Sequence, residues 1–329
     1  MARAIRFHEF GGPEVLKLDD VDMPRPGPGE VQIRQAAVGV NFADIAVRRG
    51  IFRVAPPPLP VCPGSEAAGI VEAVGTRVAH LRPGDRVAYG GSAPGAYASE
   101  RNVPADIVVR LPDAIGFETA AGMMSAGLTA AFLLRRMWPL KAGDTILFTA
   151  AAGRVGHIAV QWAKALGLTV IGTVGSEKKV EIAKALGCDH VIVYPTADVS
   201  ARVRELTGGA GVAVAYDSVG AETFASSLKS VRRRGLLVCF GGTSGGLPPP
   251  LNLMELGSNG SLFVSMPAYA DYVGSDPVAR AQLTAELMDH VASGRIKIGL
   301  NHKYALADAA KAHSDIENRL TTGSVVLLV

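Results

Sequence analysis

Residues 151–156, Ala-Ala-Gly-Arg-Val-Gly, stand between an apolar run, Asp144–Thr149, and a helical pattern from about Val155 to Leu166. They fit the spacing G-x-G-x-x-G, with Ala151 in the place of the first glycine. The spacing suits a phosphate. The chain turns tightly, one glycine lets the backbone approach a pyrophosphate, and the last lets the helix pack closely on its strand. The helix N-terminus adds N–H groups and a positive dipole end. Ala152, Gly153, Arg154, Val155 and Gly156 are therefore the candidate pyrophosphate turn of a dinucleotide site. The next apolar run, Thr169–Val174, ends in Gly175-Ser176 without a carboxylate. An Asp or Glu about 20 residues beyond the turn would hold the ribose 2′-hydroxyl of NAD. Small residues there leave room for a 2′-phosphate, and Lys178 and Lys179 bring positive charge. This predicts NADPH rather than NADH.

Such a turn needs a parallel sheet behind it. From about residue 120, apolar runs alternate with helical patterns. Strands are expected at 144–149, 169–174, 190–194, 212–217, 235–240 and 261–266. Helices are expected between most of them, around Ser176–Leu186, Ser200–Leu206 and Glu222–Val231. Continuous Val/Ile/Leu runs suit a sheet covered on both faces, which predicts a doubly wound α/β domain. Residues 1–110 read instead as short strands and turns. Val31 and Ile33 alternate with polar neighbours, Ala67–Gly75 is a β run, and Arg82–Asp85 is a turn before a strand at Arg86–Tyr89. The last stretch holds an amphipathic helix (about Pro277–Ser293), a helical segment near Asp308–Asn318 and a terminal strand, Ser324–Val329. That strand needs a partner, and the N-terminal β unit is the natural one. The expected division is 1–125 with 267–329 as one domain and 126–266 as an inserted second domain.

Composition narrows the function classes. Of 329 residues, 48% are hydrophobic and 19% charged, which is globular rather than disordered. Lys+Arg number 33 and Asp+Glu 30, a net charge of +3, too balanced to imply nucleic acid or an anionic membrane. The compact basic run, Arg232–Arg234, reads as the last turn of a helix before Gly235. Cys62, Cys188 and Cys239 suggest neither a disulfide framework nor a local zinc cluster, so a reducing cytoplasm is expected. The segment MARAIRFHEFGG has no long apolar core, and no apolar run of membrane-spanning length is free of Gly or charge. The seven histidines are scattered, and none pairs with Ser or Asp at a hydrolase spacing.

Seven motifs now carry a resemblance: GGPEVLK (11–17), GVNFAD (39–44), GSEAAGIVEAVG (64–75), RPGDRVAY (82–89), AAAGRVGHIAVQWAKALG (150–167), YDSVG (216–220) and RRRGLLVCFGGTSG (232–245). In order and over essentially the whole chain, the sequence resembles the zinc-independent NADPH:quinone oxidoreductases of the medium-chain dehydrogenase/reductase superfamily. The resemblance implies an α/β protein with a GroES-like β-rich catalytic domain, completed by the C-terminal segment, and an inserted Rossmann domain. It also implies NADPH as cofactor and a homodimer, whose pairing edge would be the sixth strand, 261–266. Zinc enzymes of the superfamily carry Cys near Asn41, His near Ser65 and often a four-cysteine lobe. This chain has neither, so no metal is expected.

By the same resemblance, Asn41 lies beside the nicotinamide and Thr129 near the pyrophosphate and nicotinamide. Gly175, Ser176 and Lys179 take the 2′-phosphate, and Tyr194 lies at the adenosine side. Ser218, Phe240, Gly241, Phe263, Val264 and Ser265 follow or form the later strands of the cofactor domain, and Arg319 contacts the cofactor. Arg154 replaces a family glycine and would either clash with the pyrophosphate or add a charge-assisted contact. Phe52 stands near a family tyrosine in the substrate loop and lacks its hydroxyl.

The expected reaction is hydride transfer from NADPH to a quinone, with Asn41 orienting the nicotinamide carboxamide and Glu66 structural rather than a base. A quinone takes a hydride and then a solvent proton, so no dedicated acid is required. Two other readings stand beside it. One is an enone, enal or enoyl-thioester reductase acting on a conjugated carbonyl. The other is a non-enzymatic NADPH-binding relative, structural or RNA-binding.

Overall fold

In the computed structural model, which describes residues 1–51, 56–243 and 248–329, the chain first forms strands β1 (Ala2–Arg6), β2 (Lys17–Val21) and β3 (Glu30–Val40). Helix α1 (Phe42–Arg48) follows, then β4 (Ala67–Val74), β5 (Arg86–Tyr89), β6 (Glu100–Pro104), β7 (Val108–Arg110) and helix α2 (Phe117–Arg136). Strand and helix then alternate: β8 (Thr145–Phe148), α3 (Arg154–Ala165), β9 (Thr169–Val174), α4 (Val180–Ala185), β10 (His190–Val193), α5 (Val199–Leu206), β11 (Val212–Asp217), α6 (Phe224–Ser230) and β12 (Val231–Cys239). The chain closes with α7 (Leu253–Ser258), β13 (Phe263–Ser265), α8 (Pro277–Ala292), β14 (His302–Ala305), α9 (Ala309–Glu317) and β15 (Val325–Leu328).

These elements make two compact units, residues 1–128 with 298–329, and residues 129–297. The first is built on a seven-stranded sheet of order β14-β15-β3-β4-β5-β7, with β6 also pairing β3. The terminal strand finds the expected partner: β15 runs antiparallel to β3, Val325 opposite Val40 and Leu328 opposite Ala37. Phe7, Ile33, Val38, Val87 and Leu327 are fully buried in this unit's core. Each such side chain stabilises the fold by roughly 1.5–3 kcal/mol relative to exposure.

The second unit holds a six-stranded sheet of order β10-β9-β8-β11-β12-β13, parallel throughout. Its order reverses between β8 and β11, which makes the crevice beyond their carboxyl ends the natural ligand position.

Two expectations change. The division falls at 128/129 and 297/298, not at 125/126 and 266/267, so residues 267–297 go with the second unit. The reason is docking of α8 there. The His290 ring meets Trp162 edge-on at 4.9 Å, and Gln161 exchanges two 2.9 Å hydrogen bonds with the Lys297 backbone. Arg232–Arg234 do not end a helix. They are the exposed start of β12, looped out where the pairing shifts from Val212–Val231 to Val214–Leu236. Helix α2 carries two glycines, Gly122 and Gly127, within an apolar sequence. It is long and apolar enough to cross a membrane by length and composition, and 72% of that apolar window is buried within the protein. Gly122 lets Leu300 pack close against it, since an added Cβ would lie 2.7 Å from Leu300 Cδ2.

Candidate active site

The second unit gathers most of the expected cofactor residues by topology alone. Six stretches follow or form its parallel strands: the turn 149–153 after β8, Gly175 and Ser176 after β9, Tyr194 after β10, Ser218 after β11, Phe240 and Gly241 after β12, and Phe263–Ser265 as β13 itself. In a parallel sheet all carboxyl ends lie along one edge, so the first five meet there.

The turn after β8 is built by its neighbours. Thr149 N–H donates to Tyr216 O at 3.0 Å on one side, and Ala151 N–H to Thr173 O at 2.9 Å on the other. Ala150 takes a left-handed conformation (φ 50°), one residue before the place of the missing glycine. Gly153 caps α3 in an extended conformation (φ −79°, ψ 176°). A Cβ at Gly156 would lie 2.5 Å from Ala150 O and 2.6 Å from Ala151 O, so the helix can approach this turn only as glycine. Arg154 and Val155 begin α3, half-buried. The bare backbone and the helix start fit a pyrophosphate.

Beyond β9, Gly175 is exposed and lies against Tyr194, whose Oη would be 3.2 Å from an added Cβ. Ser176 opens a 3-10 turn, Glu177–Lys179, with Lys178 exposed and Lys179 half-buried. At the reversal point, Ser218 N–H donates to Thr149 Oγ1 at 2.9 Å, and the two hydroxyls are 3.5 Å apart. Gly241 closes over this turn, since its Cβ would lie 2.5 Å from Ser218 O. The half-buried Phe240 ring sits 5.7 Å from Phe148.

Beneath Ser218 lies Asp217, 1% exposed. It accepts from Val219 N–H at 2.9 Å, Gly220 N–H at 3.0 Å, Thr223 Oγ1 at 2.8 Å and Ser227 Oγ at 2.6 Å. Phe263 is 54% exposed on β13, the edge of the sheet, while Val264 and Ser265 are half-buried. Thr129 also belongs to this unit, on α2.

Asn41 and Arg319 belong to the first unit. Arg319 is exposed and left-handed (φ 59°), ending α9. Phe52 lies outside the described residues. Asn41 caps α1: its N–H donates to Asp44 Oδ2 at 2.8 Å, and its Nδ2 to Glu66 Oε1 at 2.6 Å. Glu66 is fully buried, and its other oxygen accepts from Ser125 N–H at 2.7 Å. A Cβ at Gly39 would lie 2.6 Å from Glu66 Cδ, so glycine makes the carboxylate's room. Glu66 thus ties β4, α1 and α2 together, in keeping with a structural role.

A cavity of about 180 Å³ opens beside α1, lined by Ala43, Asp44, Val47, Gly64, Ser65, Ser92 and Pro94. Ser92 Oγ donates to Ser65 O at 3.0 Å, and Arg101 holds Ala93 O at 2.7 Å and Ser92 Oγ at 2.9 Å.

Behind it is a buried network that sequence reasoning missed. Asp44 Oδ2 is 3.1 Å from Tyr97 Oη, which is 2.9 Å from His313 Nε2. His313 Nδ1 is 3.2 Å from Arg48 Nη1, and Arg48 Nη2 is 2.7 Å from Glu317 Oε1. Its one sequence signal was the Asn41–Asp44 spacing of a helix cap.

Burial, with Arg48 beside it, pushes His313 down to about 3. The fold therefore holds the neutral ring, while an unfolded histidine takes its proton below about pH 6.5. His313 costs the fold nothing above that pH, and stability falls as pH drops from about 6.5 toward 3. We expect a loss of about 2 kcal/mol between pH 6.5 and 5. Urea midpoints across that range should flatten in His313→Gln, and an unchanged slope would remove His313 as the cause.

Comparison with known proteins fits this geometry. Residues 27–113 match the family profile of the alcohol dehydrogenase GroES-like domain, and residues 155–273 that of a zinc-binding dehydrogenase. A GroES-like unit holding an inserted parallel-sheet dinucleotide domain defines a medium-chain dehydrogenase/reductase. The chain is 46% identical over 333 residues to a quinone oxidoreductase of Salmonella typhimurium, with all of both chains covered. It is 41% identical over 336 residues to a 2-haloacrylate reductase of a Burkholderia species, covering 100% of this chain and 99% of the other. The crystal structure of Escherichia coli quinone oxidoreductase complexed with NADPH matches with a TM-score of 0.96 at 44% identity, covering 100% of both chains. The chain belongs to the quinone oxidoreductase family. Although the second profile is named for zinc, among the described residues no group of three or more His, Cys, Asp or Glu is placed to hold a metal ion.

Proposed function

We propose that this protein is an NADPH-dependent quinone oxidoreductase. The observation that carries the reading is the glycine turn at the strand-order reversal, followed by a β9 end that offers small residues and lysine in place of an acid. When bound, NADPH supplies the hydride, and the chain supplies binding and orientation. Gly153–Gly156 and the start of α3 hold the pyrophosphate. Gly175, Ser176 and Lys179 hold the 2′-phosphate, and Tyr194 flanks the adenosine. Ser218, Phe240, Gly241 and Phe263–Ser265 shape the later part of the site. Asn41, anchored by Glu66, orients the carboxamide, with Thr129 and Arg319 as further cofactor contacts and Phe52 in the substrate loop.

The acceptor sits in the cavity beside α1. Ala43, Val47 and Pro94 give it apolar walls, and its ionisable lining residue is the Asp44 carboxylate. That charge favours a neutral quinone over an anionic conjugated acid, the kind of acceptor for which the 2-haloacrylate reductase relative is named. Two like charges about 6 Å apart at an effective dielectric near 20 repel by about 3 kcal/mol. We therefore expect kcat/KM for 1,4-benzoquinone to exceed that for 2-chloroacrylate by about 100-fold or more. NADPH should be preferred over NADH, with the preference weakened in Lys179→Ala. Equal rates with the anionic acceptor would favour the conjugated-acid reading.

The cysteine content supports a reducing, cytoplasmic setting. The β13 edge, with Phe263 54% and Met266 44% exposed, supports a homodimer paired along that strand. Light scattering at micromolar concentration should give twice the chain mass, and a monomer would oppose it.

A further inference from the structure

We propose that Tyr97 is the positioning residue of the acceptor cavity, fixing two of its walls from behind. The proposal rests on the quinone reductase reading and concerns the same site.

Tyr97 is fully buried and lines no part of the cavity surface itself. Its ring fills the space beside Gly64. A Cβ there would lie 2.4 Å from Cδ1 and 2.8 Å from Cε1, and Gly64 is left-handed (φ 90°). This cavity wall is therefore bare backbone because the tyrosine ring occupies the place of a side chain.

Its hydroxyl reaches a second wall. Tyr97 Oη is 3.1 Å from Asp44 Oδ2, and Asp44 is 4% exposed. The same oxygen receives Asn41 N–H at 2.8 Å, and Asp44 N–H returns to Asn41 O at 3.0 Å. Those bonds close the first turn of α1, which carries Asn41, Ala43 and Asp44. Where Asp44 sits, Ala43 follows, while the Asn41 side chain is held separately by Glu66 at 2.6 Å.

The direction of every bond in the network can be assigned from chemistry. A guanidinium only donates, so Arg48 donates to His313 Nδ1. The neutral ring then carries its proton on Nε2 and donates to Tyr97 Oη, leaving the Tyr97 O–H to donate to Asp44. Arg48 is fixed in turn by Glu317 at 2.7 Å and by Gly11 O at 3.1 Å. Tyr97 is thus held from α9 and holds α1. Removing its hydroxyl leaves a buried His313 N–H without its acceptor and takes one donor from Asp44.

Tyr97→Phe keeps the ring against Gly64 and removes only this link. We expect KM for 1,4-benzoquinone to rise about tenfold while the NADPH dissociation constant stays within about twofold. The ratio of kcat/KM for 1,4-naphthoquinone over 1,4-benzoquinone should also rise, because a loosened wall admits the larger ring. General destabilisation would lower the melting temperature and the active fraction without moving either KM or this ratio. A variant with unchanged quinone KM and unchanged ratio overturns the proposal. If Tyr97→Phe does not fold, Asp44→Ala removes the acceptor of the same hydrogen bond at its other end. It should raise quinone KM with NADPH binding intact, and an unchanged quinone KM there overturns the proposal equally. Quinone reduction by the unaltered protein is measured first. Its absence would sink the functional reading, whereas its presence with indifferent variants sinks only the role of Tyr97.

Discussion

Gly156→Ala is expected to abolish useful NADPH binding. Alanine is intrinsically better than glycine inside a helix by about 1 kcal/mol. Here that gain is outweighed, because the new methyl group would stand 2.5 Å from Ala150 O and 2.6 Å from Ala151 O. Both obstacles are backbone and cannot swing away like a side-chain end. The start of α3 must back off the turn, separating the N–H groups and helix dipole from the bare backbone that together would grip the pyrophosphate. Overpacking of a tight site costs about 1–3 kcal/mol or more, a melting-temperature loss of several degrees in a unit of this size. NADPH affinity, read by fluorescence titration, should fall at least about 100-fold. Wild-type affinity in a folded Gly156→Ala protein would show that this turn does not hold the cofactor.

The second large effect is expected at Asp217. Its carboxylate is 1% exposed and serves two backbone N–H groups and the hydroxyls of Thr223 and Ser227. Asp217→Ala leaves those four donors in a buried space. Each unsatisfied donor costs about 1–3 kcal/mol, and shared relaxation should hold the total near 3–5 kcal/mol. The turn that carries Ser218 loosens with it, so NADPH affinity should fall alongside stability. Asp217→Asn should be milder, because the two hydroxyls can rotate to accept from the new amide. Urea unfolding of both variants checks the order, and an Asp217→Ala protein as stable as wild type would refute this account.

What was legible in the sequence was what is local. The strands Arg86–Tyr89, Thr169–Val174 and Val212–Asp217 lie where the apolar runs place them. The glycine turn announces itself because its steric demands involve residues within six positions of each other. Pattern alone also gave α8, but a helical stripe does not say which surface it will cover, and Trp162 and Gln161 decided that. Arg232–Arg234 misled because three cations before a glycine resemble a helix end. In the fold β12 starts one residue after α6, and the arginines form its bulge. The tie between Tyr97 and His313 had no signature at all. The two are 216 positions apart, and each is an unremarked aromatic or imidazole residue until the sheet and α9 bring them to 2.9 Å. The positions of Asn41 and Arg319 came from family resemblance rather than from the physics of their neighbourhoods.

The pairing of β15 with β3 also sets an order of events during synthesis. On the ribosome, residues 129–297 emerge as a finished block and can collapse around their own parallel sheet at once. Strand β3, made long before, must wait with one hydrogen-bonding edge open until residues 325–328 leave the exit tunnel. The inserted unit can thus fold first, and the unit that encloses it in sequence is completed only once residues 325–328 have emerged.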